Sequence, residues 1–145
     1  MNRDNLIKLR DGLAKLPEDY KHFGMADYYG GLSKEHSNLT LKEAGTVAPS
    51  QCGAVACALG HAPSMVEPAV DGEDWTEYSA RVFGILACSA VWDWIFSPDW
   101  ADYDNTPAGV VSRIDYYLAH GVPKEFRGCY KYEKGLAVYQ GNHDK

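Results

Sequence analysis

Apolar positions recur with helical spacing along much of the chain, and the breaks between these stretches carry recognisable caps. Leu6, Leu9, Leu13 and Leu16 fall at i, i+3, i+7 and i+10, the stripe of an amphipathic helix. Asn2 or Asp4 can cap its start and Pro17 stops it, while Lys8, Arg10, Asp11 and Lys15 lie off the stripe. Tyr20 to Gly31 is an aromatic segment that turns on paired glycines, and residues 32–48 lack a firm period and read as a long surface loop. The stretch from Ala44 to Val66 holds no Asp, Glu, Lys or Arg, and Cys52 to Leu59 is almost entirely small. Such a segment lets other backbones approach closely, so it predicts a buried central helix with Ser50 as N-cap, Gly60 as stop and Pro63 barring continuation.

Asp74 and Glu77 have capping-box spacing and open a helix with Trp75, Tyr78, Val82 and Ile85 on one face. A short helix is expected over Ala90 to Phe96. Ser97-Pro98 and Thr106-Pro107 each pair an N-cap with Pro at the first helical position. The second pair opens the clearest helix, with Val110, Ile114, Tyr117 and Leu118 inward and a stop at His120-Gly121. From Phe126 to Tyr139 the period is near two, which suits either a β-hairpin or an extended arm. The fold class expected is mainly α: a single compact helical domain over 1–145, with a helical core over about 4–123 and a C-terminal arm over 124–145.

Composition narrows the partners. A formal charge of −6 disfavours an extended nucleic acid, whose phosphates are met by clustered Lys and Arg. A small anionic ligand stays open, because one or two arginines suffice to hold it. The N-terminus lacks the apolar core of a secretory signal, and prolines and glycines interrupt the neutral stretch, so neither export nor a membrane span is expected. A cytoplasmic protein with reduced thiols at Cys52, Cys57, Cys88 and Cys129 follows. An acidic surface with exposed aromatics is compatible with a homodimer.

The densest candidate chemistry is aromatic. Trp75, Tyr78, Phe83, Trp92, Trp94, Phe96, Trp100 and Tyr103 crowd one stretch, interleaved with Asp93, Asp99, Asp102, Asp104 and Asn105 and flanked by Arg81 and Arg113. Trp92 and Trp94 are two residues apart and cannot share a helical face, so one is expected to look outward or into a cleft. In such a cleft Trp92, Trp94 and Trp100 would stack a planar ligand. Arg81 and Arg113 would pair with its anionic groups, and Asp104 and Asn105 would fix its polar edges. The same composition also suits an indole-rich core.

A second candidate is a thiol. Cys52 at a helix start would have its thiolate favoured by the helix dipole, with His61 or His120 as the base. The string Gln51-Cys52-Gly53 resembles the Cys-bearing helix of papain-like peptidases over fewer than ten residues, and neither histidine lies in a convincing strand. Cys52, Cys57 and His61 do not make a metal site at their spacing, and residues 102–106 lack the acidic register of a calcium loop. No metal and no cofactor are expected.

Several strings taken together carry a wider likeness: Leu6 to Leu13, Cys52 to His61, Trp75 to Gly84, Trp92 to Ser97, and Asp104 to Pro107 with Arg113-Ile114. In order and spacing they resemble a family of small proteins encoded by tailed phages, prophages and bacteria, over most of residues 4–123. The resemblance implies context and no established chemistry: by analogy, an accessory or counter-defence protein in the host cytoplasm, sequestering a nucleotide-derived immune signal. The leading expectation is therefore a non-enzymatic binding protein for a small planar anionic ligand. Its alternatives are a thiol-dependent hydrolase using Cys52 and a module that binds a host protein.

Overall fold

The computed structural model describes residues 1–25, 56–124 and 126. These form a compact helical bundle with no strands, in the order α1 (Arg3–Ala14), α2 (Ala58–Met65), α3 (Trp75–Phe83), α4 (Ala90–Ile95), a 3-10 helix (Pro98–Asp102) and α5 (Pro107–His120). The expected hairpin or arm after Phe126 and the loop over 32–48 lie outside the described residues, as does Cys52.

The caps do what their sequences ask. Asn2 accepts from the Asn5 N–H and starts α1, which buries Leu6, Leu9 and Leu13. The Asp74 side chain accepts from the Glu77 N–H at 2.8 Å while Glu77 accepts from the Asp74 N–H at 3.2 Å, a complete capping box. Gly84 ends α3 at a φ of 69°, and Gly121 ends α5 at 77°, conformations that cost other residues a Cβ clash. Helix α1 lies across the bundle. Its broadest packing is on α5, where Arg10 grips Asp115 through two hydrogen bonds of 2.7 and 3.2 Å. At its other end the Asn2 N–H and the Asn5 side chain both donate to carbonyls at the close of α3.

The buried small-residue helix exists, displaced from where the sequence suggests. Ala56 is still extended, pairing as a single parallel bridge with Phe23, and Cys57 is the N-cap, its sulfur accepting from the Gly60 N–H. Helix α2 then runs through Gly60 and Pro63, the two residues expected to end it. Pro63 costs one backbone donor in a helix of two turns, and burial of Ala58, Leu59, Gly60 and Ala62 against α1 outweighs it. The narrow packing extends to the crossing of α1 and α2, where a Cβ on Gly12 would lie 2.8 Å from the Met65 sulfur.

Candidate functional site

The aromatic block is assembled, and it is closed. Trp94 and Trp100 have no exposed surface, and Trp92 is buried as well. Trp92 and Trp94 do point in different directions, but both directions are core, because the six-residue α4 is covered on both sides. This corrects the expectation that one indole looks outward. Trp92 packs edge-on against Phe96 at 5.5 Å, whereas Trp94 meets Trp100, Tyr116 and Phe126 at 5.7, 5.9 and 5.0 Å. Both central indoles place their polar handles on backbone: Trp94 donates to the Arg113 carbonyl and Trp100 to the Asp93 carbonyl, each at 2.9 Å.

The two arginines go separate ways. Arg113 is fully buried, its guanidinium 4.3 Å over the Trp100 ring with one nitrogen reaching the Ile95 carbonyl. Arg81 sits on α3 and clamps the preceding loop. It donates to both Glu73 oxygens, to Glu67 and to the Pro68 carbonyl, at 2.6–3.1 Å. That clamp holds the Glu73 carboxyl below its ordinary range. The structure thus brings Trp94, Trp100 and Arg113 together as core and leaves Arg81 in a surface ion-pair network.

Asp104 and Asn105 stand at the start of α5. The Asp104 carboxylate accepts from the Thr106 hydroxyl at 2.6 Å and fills the space a Cβ on Gly109 would need. Asn105 accepts the Met25 N–H through Oδ1 at 2.5 Å, which ties the aromatic segment after α1 to the head of α5.

This tie borders an open feature, a cleft of about 630 Å³ between the C-terminal end of α1 and the first two turns of α5. Leu13, Leu16, Tyr20 and Phe23 form one wall, and Pro107, Val111, Ser112 and Asn105 the other. Its volume falls within the range of ligand pockets, and its lining follows their usual pattern of apolar walls with few polar groups. Of the residues expected to bind ligand, Asn105 lies here. Tyr20 and Phe23 were legible only as an aromatic segment beyond a helix stop. Ser112 gave no signal, because its role depends on which face of α5 meets α1.

Behind the ring wall lies His61, 1% exposed on α2. Its Nδ1 is 2.8 Å from the Cys57 carbonyl, an atom that can only accept, so Nδ1 carries the proton. Nε2 is therefore the acceptor for the Tyr20 hydroxyl at 2.8 Å. Burial pushes the His61 pKa down, against the partial compensation of its backbone contact. Both ring nitrogens are thus engaged, one on the α2 backbone and one on the Tyr20 wall. His120 is exposed in the last turn of α5, beside Tyr116. Among the described residues no three His, Cys, Asp or Glu side chains converge as a metal site, and no helix is long and apolar enough to cross a membrane.

Compared with protein-family models, curated proteins and solved structures, the chain matches none.

Proposed function

We propose that this chain is a non-enzymatic binding protein that holds a small planar ligand in the cleft between α1 and α5. The observation that carries this reading is the cleft itself. It is concave, of ligand size, walled by Tyr20 and Phe23, and provided with an amide and a hydroxyl at Asn105 and Ser112. Binding is favoured over acyl transfer because His61 is occupied at both nitrogens, by the Cys57 carbonyl and the Tyr20 hydroxyl. In the phage setting implied by the sequence likeness, capture of such a ligand is an accessory or counter-defence role.

The test is thermal unfolding against nucleosides, nucleotides, cyclic nucleotides and ADP-ribose derivatives. Ligand at about a hundredfold over its dissociation constant adds roughly 2.7 kcal/mol of stability, a plain rise in midpoint. Ser112→Phe, which fills the cleft from a half-buried position, should abolish that rise without unfolding the chain. A rise that persists in Ser112→Phe refutes the cleft as the site, and no rise with any compound refutes the reading.

A further inference from the structure

We infer that the cleft selects an uncharged planar ring with hydrogen-bonding edges, a nucleobase or nucleoside in preference to its phosphorylated forms. This rests on the cleft being the binding site.

The first ground is the charge of the lining. Among its described residues Glu18 is the one with a formal charge, and there is no Lys or Arg. A phosphate placed here would meet a carboxylate and, among the described residues, no cation, in a chain whose formal charge is already −6.

The second ground is the head of α5. A helix start ordinarily attracts anions through its free N–H groups and dipole. Here much of that capacity is taken up from within the chain. Pro107 has no N–H, and the Gly109 N–H goes to the Thr106 hydroxyl at 3.0 Å. The Thr106 hydroxyl in turn donates to Asp104, whose carboxylate lies against Gly109 and supplies the negative charge itself. An incoming anion would find the position filled by a like charge.

The third ground is what remains available. Asn105 has Oδ1 committed to the Met25 N–H, which leaves its amide N–H₂ to donate into the cleft. The Ser112 hydroxyl, which can donate or accept, has no hydrogen-bond partner among the described residues. A ring carbonyl or ring nitrogen suits the first, and either an exocyclic amine or a carbonyl suits the second. Tyr20 donates its hydroxyl proton to His61.

The experiment is calorimetric titration of the full chain with adenosine, guanosine, cytidine and uridine, each beside its 5′-monophosphate and 5′-diphosphate. A nucleoside should bind, with affinity falling on the order of tenfold at the first phosphate through like-charge repulsion. Glu18→Lys should narrow that gap by weakening the penalty, and Ser112→Ala should weaken the nucleoside and its monophosphate alike. A monophosphate that binds as tightly as its nucleoside, or more tightly, overturns this inference and leaves the cleft as the site. Failure of every compound, with no difference between the wild-type chain and Ser112→Phe, overturns both.

Discussion

The aromatic block around α4 and the cleft between α1 and α5 are built from the same kinds of residue and do opposite things. Each combines rings with a few polar groups from the head or body of α5. In the block the polar handles close on the chain itself: Trp94 on the Arg113 carbonyl, Trp100 on the Asp93 carbonyl, the Arg113 guanidinium on the Trp100 face. In the cleft Tyr20 and Phe23 line the concave volume, and Asn105 and Ser112 keep donors to offer. Composition does not separate a core from a pocket. What separates them is whether the rings and their N–H groups are spent within the chain.

The sharpest way to break this contrast is to exchange the expected costs. Trp94→Ala removes a fully buried indole with four ring or backbone contacts, and should lower unfolding stability by roughly 3–5 kcal/mol in denaturant titrations. Ser112→Ala, in the cleft, should change stability by less than about 0.5 kcal/mol while weakening ligand. A mild Trp94→Ala variant that loses ligand response would reverse the assignment of the two regions.

A second expectation concerns His61, behind the Tyr20 wall of the cleft. The His61 pKa is lowered from 6.5 by burial, so the unfolded chain takes up a proton there before the folded one does. The contribution of neutral His61 is thus fully present above about pH 6.5 and is lost as pH falls below it. The slope reaches at most about 1.4 kcal/mol per pH unit for the single proton. Unfolding measured from pH 7 down to 5.5 should show this loss, and His61→Gln, which does not titrate, should flatten it. An equal slope in both would remove His61 as the cause.

The smallest effect concerns Arg81. Its partners Glu67 and Glu73 belong to the loop before α3, so Arg81→Gln should lower the unfolding midpoint slightly and leave the ligand response of the cleft unchanged. Loss of binding in that variant would restore Arg81 to the site.

Local signals made much of the bundle legible. The Leu6–Leu9–Leu13 stripe, the Asp74 capping box, the Thr106-Pro107 start and the Gly121 stop are each decided within one or two turns of chain, and the folded helices obey them. Helix α2 was misplaced because its boundary depends on tertiary packing: Ala56 pairs with Phe23, and Cys57 serves as a cap although sulfur is an uncommon one. The cleft was hidden for a similar reason. Met25 and Asn105 stand 80 positions apart, and no periodicity announces that they touch. For Trp94 and Trp100 the sequence shows a ring and an N–H, while the receiving carbonyls are set by how α4 packs on α5 and how the 3-10 helix folds back on α4.

The crossing of α1 and α2 has a chemical consequence. Gly12 and the Met65 sulfur are in contact with no room for even a methyl group. Oxidation of that thioether to a sulfoxide adds a polar oxygen to an atom already packed against α1, and the side chain or the helices must shift to admit it. Met65 is only partly covered. This tight crossing is thereby sensitive to oxidation, and damage there would be felt as loosening of α1, the helix that carries one wall of the cleft.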